Sequence, residues 1–543
     1  MATANTKADR RPQEQARIQA GIAPYGGTWN NKLAAHLLRR TMFAPTRADI
    51  AATESKSLDA ILATLLEDLP APAPPVDPTT GKNWTASPFE SANDSRFQGY
   101  LTAWWMGLMV TQGISIREKM VLFWHNHFVS EYDTVLDSRC MYLQNTLFRR
   151  YALGNVKDLV KAATVDPAML VYLNGYRNRG DGTNIADENY ARELQELFTI
   201  GKGPQIAPGD YTNYTEQDVK AAARVLTGWR ISGYRDTQNA AITSYFDAAR
   251  HDARDKEFSY EYQNSRIIGG VDGLRELNDL VEMIFRQPET ARYLCRKLYR
   301  WFVYYDIDES VEELVIEPLA LLMRQSDYEI KPVLEALLRS SHFYDDNNIG
   351  CIIKCPADFV AGAFRIMEIQ PPSPTTQTSL YYSLMASLRG TSATLQMNLM
   401  DLPNVAGWPA YYQTPDFYRL WINTVTLPVR WSFTDSLVNG IRAGGSTFVV
   451  DPIAYAKGVS VPGEPYILVG EIASGLFPFD LTSVQVEYLV REVLVPGVPD
   501  YEWGLIWNSY ASDPNNAQKR NAVVSRLNNM LKFMLRMGEF ELA

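Results

Sequence analysis

The chain of 543 residues holds five histidines, and two of them stand two residues apart in Phe123-Trp124-His125-Asn126-His127-Phe128. Imidazole binds transition metals and exchanges protons near neutral pH, so this pair is the first candidate for chemistry. Residues two apart on a regular helix point about 200° apart, and both rings reach one ion only where the helix ends or unwinds. The competing reading is two hydrogen-bonded histidines at a helix terminus packed by aromatics.

A second polar set lies in Asp187 to Phe198. At about 100° per residue, Tyr190, Leu194, Leu197 and Phe198 form an apolar stripe. Asn189, Glu193 and Glu196 gather on another side with Arg192 beside them. Glu188, Arg192 and Glu196 recur at i, i+4 and i+8, the spacing of a solvated ion ladder. Glu193 falls outside that ladder, about 40° from Leu197 at the edge of the stripe. A half-buried carboxylate needs a partner or a proton, which makes Glu193 the leading candidate for a ligand or general base. His251-Asp252, after Phe246-Asp247, offers a histidine beside a carboxylate: a ligand or base with an orienting partner, or a surface pair. Cys351 and Cys355 lack C-x-x-C spacing and read as free thiols, and His342 has no identifiable companion.

These residues must be held by helices. Thr215-Glu216-Gln217-Asp218 matches a capping box, and Gly228 and Gly201 stand where helices should stop. Helical periodicity or strong helix formers recur from Asn30 or Asn31 and over 57–66, 97–112, 117–128, 139–152, 155–164, 188–200, 216–227, 274–286, 289–303, 310–324, 330–339 and 356–368. Residues 69–96, with six prolines, read as an extended loop. Residues 369–470 read as irregular and aromatic-rich with short strands at 446–450 and 465–470, before helices resume at 481–494 and 516–537. The expected fold is mostly α: a large multi-helix body with a long Pro-rich loop and an irregular C-terminal part carrying at most short strands. The expected division is a flexible arm over 1–25, a main helical domain over 26–425 and a helical extension over 426–543 packed on it.

Hydrophobic residues at 46% and charged residues at 21% exclude whole-chain disorder and low-complexity architecture. A net charge of −10 disfavours a nucleic-acid binder that relies on a basic face. Four cysteines supply no disulfide framework, the first 21 residues show neither a Sec-type nor a twin-arginine signal, and no apolar run reaches transmembrane length. The expected location is therefore cytoplasmic, or outside the cell by carriage on an exported partner. Phosphate-loop, dinucleotide, nucleophile-elbow and H-E-x-x-H motifs do not occur.

Ordered blocks carry a family resemblance: Ala35-His36-Leu37-Leu38-Arg39-Arg40, FWHNHF at 123–128, Asp166-Pro167-Ala168-Met169-Leu170, ENYARELQELFTIG at 188–201, YTEQDVKAAARVLTGW at 214–229, and His251-Asp252. Arg296-Lys297-Leu298-Tyr299, Lys354-Cys355-Pro356-Ala357-Asp358-Phe359 and Leu402-Pro403-Asn404-Val405-Ala406-Gly407-Trp408-Pro409 follow. From about residue 30 onward the chain resembles the bacterial domain-of-unknown-function family numbered 1800, and the Trp-Pro-Ala-Tyr-Tyr-Gln run at 408–413 resembles its Bacteroidota branch. Ala44 departs from the glycine that the family often has there. The resemblance implies a protein partner, because members are typically encoded beside a sulfatase-like family numbered 1501 that usually carries an export signal.

Four of the five histidines, His36, His125, His127 and His251, lie in family blocks. The expected site is a transition-metal centre, Zn, Fe or Mn, held by His125, His127, His251 and Glu193. Glu193, His251 and Asp252 are its catalytic candidates, and His36, Asn189, Arg192, Glu196 and Trp229 have substrate or structural roles. Hydrolysis or oxidation is the corresponding reaction, and the sulfatase-like neighbour that the resemblance implies points to an envelope or polysaccharide-type substrate. The alternative is a non-catalytic assembly partner whose contact surface is the 1–25 arm with the aromatic 400–425 region. Convergence of the histidines and Glu193 in a cleft separates the two.

Overall fold

The structure is a computed structural model that describes residues 21–180 and 185–543. It is mostly helical, and among the described residues the strands form four separate two-stranded antiparallel pairs. Residues 1–20 of the expected arm lie outside the described residues. Residues 21–25 are docked, with the Tyr25 amide donating to the Arg339 carbonyl at 2.8 Å and its ring 5.0 Å from that of Tyr344.

The helix boundaries follow local chemistry. Asn30 caps the Asn31–Thr41 helix by accepting from the Leu33 amide at 3.1 Å. The Asp218 carboxylate accepts from the Thr215 amide at 2.8 Å, closing the capping box that begins Glu216–Val225. Gly201 and Gly228, with φ of +75° and +92°, turn the chain after their helices. Ala44 also takes a left-handed conformation, φ +58°, where an L side chain is strained. Gly362 makes room for it, since a Cβ there would stand 3.1 Å from that of Ala44.

Among the described residues one contiguous core runs from Leu33 to Phe540, and it includes residues of the 426–543 segment. Fully buried Arg430 fastens it, donating to the Glu541 carboxylate at 2.8 Å and the Lys354 carbonyl at 2.9 Å. The Pro-rich loop is strapped down: Arg117 donates to the Leu69 and Pro70 carbonyls, the Trp104 indole donates to the Ala73 carbonyl at 2.9 Å, and Trp84 stacks on Phe97 at 5.0 Å.

Two expectations need correction. The segment expected as a strand at 465–470 opens the Pro465–Leu476 helix, whose proline occupies the first turn, where its missing N–H costs nothing. The stretch 369–470 contains two long helices, Thr378–Thr394 and Thr426–Asn439, besides the small Ile441–Ala443 and Ser446–Phe448 hairpin. Among the described residues no helix is long and apolar enough to cross a membrane.

Candidate functional site

The helix that carries Glu193 is regular over Asn189–Glu193 and then widens into a π-type turn over Leu194–Thr199. The Thr199 hydroxyl donates to the Leu194 carbonyl at 2.5 Å, and Gly201 closes the end by donating to the Gln195 carbonyl at 2.9 Å. The wider turn leaves the last carbonyls to neighbouring side chains. Leu197 accepts from the Tyr293 hydroxyl and the Lys297 ammonium, each at 3.0 Å, and Phe198 accepts from His127 Nε2 at 2.9 Å. The glycine at 201 is required, since a Cβ there would lie 2.6 Å from the Tyr293 ring.

His127 Nδ1 faces the Lys297 ammonium at 3.2 Å, so the partners assign the hydrogen to Nε2 and make Nδ1 an acceptor. Burial, reinforced by the charge of Lys297, holds the His127 pKa well below its ordinary value. Burial, with a contribution from Arg300, pulls Lys297 down to about 7. Glu193 is raised to about 6 by burial and then by neighbouring Glu196, with Arg192 and Lys202 opposing. It is partly exposed and makes no hydrogen bond or ion pair among the described residues.

The ion ladder is only half formed. Arg192 meets Glu188 at 3.1 Å and then Glu216 of the next helix at 2.8 Å. The π turn carries Glu196 away to Lys202 and the Tyr214 hydroxyl, both at 3.1 Å. Asn189 is exposed, and its amide donates to Asp187 at 2.9 Å.

His125 points elsewhere. The Met400 amide donates to its Nε2 at 3.1 Å, and its ring lies edge-on to Trp105 and Trp408, at 5.2 and 6.0 Å. Burial lowers its pKa to about 3, and the neutral ring carries its hydrogen on Nδ1. Between the two histidines, the Asn126 side chain accepts from the Trp408 amide at 2.8 Å. The FWHNHF block therefore clasps two remote segments, 400–408 on one side and the π turn on the other.

His251 belongs to a third place. Its Nδ1 donates to the Thr227 carbonyl at 2.9 Å, and Nε2 stands 3.2 Å from Glu276, which also pairs with Lys256; the side chains of all three ionisable residues are wholly buried. Asp252 faces Arg224 at 2.8 Å and Arg254 at 2.9 Å. Burial acts to raise the Asp252 carboxyl, and these hydrogen bonds outweigh it and hold the group well below its ordinary value. His36 Nε2 donates to the Phe343 carbonyl at 3.1 Å, and burial followed by the charge of Arg40 keeps its pKa well below the ordinary value. Trp229 is buried edge-on to Phe246 at 5.6 Å and lines a cavity of about 10 Å³, room for one water. His342, expected to have no companion, meets the Tyr299 hydroxyl at 2.9 Å.

The expected metal centre is thus not assembled. His125 and His127 diverge along an unbroken helix, their outward nitrogens meet backbone groups, and His251 sits in a separate buried ion cluster. Among the described residues no group of three His, Cys, Asp or Glu side chains is placed to hold an ion. What the sequence reading missed is Lys297 and Tyr293, although Lys297 lay inside a quoted block; on an amphipathic helix a lysine looks like a surface residue.

Together these features define a large, mostly helical protein whose buried histidines and ions join segments far apart in sequence. The chain belongs to the family described as "Protein of unknown function (DUF1800)", whose model matches residues 36–542. No curated protein and no solved structure matches it.

Proposed function

We propose that this chain is the non-catalytic partner in a two-protein cell-envelope or export system whose other member is the sulfatase-like family numbered 1501. The observation that supports this most is the placement of the family-block histidines: all four are buried, and each has a ring nitrogen that meets a backbone group. Such residues hold a shape. In the 400–425 region Trp408, Phe417 and Trp421 are buried while Tyr412 and Val425 are exposed, and near the C-terminus Val484, Tyr501 and Leu505 are 73%, 65% and 57% exposed. There Tyr488 and Phe533 expose a ring pair 5.7 Å apart, the kind of apolar surface that protein partners cover. Co-expression with the neighbouring sulfatase-like chain should yield a co-purifying complex that Tyr488→Glu/Tyr501→Glu disrupts; failure of the wild-type pair to co-purify would refute the reading.

Glu193 favours a second reading, a metal-independent enzyme in which this carboxylate, poised near pH 6 and partly exposed, moves a proton. A turnover assay on acidic and neutral glycans separates the two, because this reading requires activity that Glu193→Gln abolishes in a folded chain.

A further inference from the structure

The strands Trp229–Ser232 and Thr243–Phe246 pair antiparallel, with Trp229 opposite Phe246 and Arg230 opposite Tyr245. Alternation along a strand puts these two pairs on opposite faces. Trp229 and Phe246 face inward, Phe246 lying 5.0 Å from His251, so Arg230 and Tyr245 share the outer face. Arg230 is seated through a single nitrogen: its Nη1 donates to the carbonyls of Tyr176, Asn178 and Trp229 at 2.9, 3.0 and 2.7 Å. That places it on the turn where exposed Arg177 lies over the Tyr176 ring at 5.1 Å. The Gly180 amide donates to the Arg250 carbonyl at 2.9 Å and draws exposed Arg250 alongside. Arg179 flanks the group with an interaction of its own.

Some buried arginines elsewhere in this chain are held close to a carboxylate. Arg139 meets Asp137 at 2.7 Å, and Arg149 meets Glu118 at 2.8 Å. Arg230 makes no ion pair among the described residues, and Arg250 has Asp247 at 3.9 Å. Burial pushes the Arg230 guanidinium below its ordinary pKa, with Arg250 and Arg179 adding to the effect and Asp247 opposing it. A guanidinium has five donors, so one anchored nitrogen leaves a fork for a planar or tetrahedral oxyanion. Gathering guanidiniums costs free energy that a bound anion would return.

We propose that Arg177, Arg230 and Arg250, flanked by Tyr176 and Tyr245, form a binding site for the sulfate or carboxylate groups of an acidic saccharide. Exposed Tyr245 supplies a flat amphipathic face for a sugar ring beside the anion-binding forks. Nucleic acid fits less well, because its affinity comes from neutralising many phosphates in succession, and the patch is short. The inference is independent of the partner reading.

Isothermal titration of the full chain at low salt tests it, using a heparin-derived tetrasaccharide, uncharged cellotetraose, inorganic sulfate and a thymidine oligonucleotide. The tetrasaccharide should bind, Arg177→Gln/Arg250→Gln should weaken it at least tenfold, Arg230→Gln should do the same, and cellotetraose should not bind. The first two substitutions are at exposed side chains and leave the melting temperature unchanged, so loss of binding there is not loss of fold. No binding by the wild type, or equal binding by the double variant, would overturn the site. Sulfate binding as tightly as the tetrasaccharide would overturn its saccharide part, and so would tighter binding of the oligonucleotide.

Discussion

Acidification from pH 7 to pH 5 should destabilise this protein through His125 by an amount that can be worked out. The imidazole is held to a pKa of about 3 by burial, against about 6.5 in the unfolded chain. The folded form therefore stays neutral while the unfolded form gains a proton, so the contribution is fully present above pH 6.5 and is lost as pH falls toward 3. At pH 5 the unfolded state lies about 1.5 pH units below its own pKa, which lowers stability by about 2 kcal/mol. His36 and His127 are depressed for the same main reason and act in the same direction. The comparison variant is His125→Gln, whose amide oxygen can still accept from the Met400 amide but does not titrate. In urea denaturation at the two pH values, the wild type should lose about 2 kcal/mol more than the variant. Equal losses would show that His125 titrates normally in the folded protein and would refute the structural role assigned to it.

Three further outcomes follow from the packing. Ala44→Gly should raise stability by about 1 kcal/mol in denaturant titration, because the residue sits at φ +58°. Gly201→Ala should cost about 2 kcal/mol or more, since a methyl group at φ +75° would meet the Tyr293 ring, and loss of ellipticity at a lower urea concentration reports it. Glu193→Gln should stabilise the fold at pH 8 by about 1 kcal/mol after allowing for its partial exposure, and by nothing at pH 4. The sign follows from a carboxyl raised to about 6: its burial opposes folding only once pH rises above the unfolded value and the group ionises.

Helices with explicit caps were legible in the sequence, and so was the partial burial of Glu193. The Thr215 box and the stops at Gly201 and Gly228 are local signals. The Thr378–Thr394 helix was hidden because serine, threonine, tyrosine and glycine dilute its periodicity and its burial comes from tertiary packing. The π turn was invisible to a wheel of fixed pitch, which is why the ladder was extended to Glu196 in error. The histidines misled for a deeper reason. A ring nitrogen that meets a backbone group, as at Phe198, Phe343 or Met400, leaves no pattern in residue types, whereas metal-ligand spacing does. Clustered histidines in an aromatic frame therefore read as a site when their partners are main-chain groups far along the chain.

The most direct measurement is nitrogen-15 NMR of histidine-labelled protein between pH 8 and pH 5, with and without zinc, iron or manganese. Five residues give five resolvable pairs of ring signals. The account predicts that His125 is a neutral Nδ1–H tautomer and His127 a neutral Nε2–H tautomer, both unmoved by pH and by metal. Titration of either ring near pH 6.5, or metal-induced shifts shared by His125, His127 and His251, would contradict it.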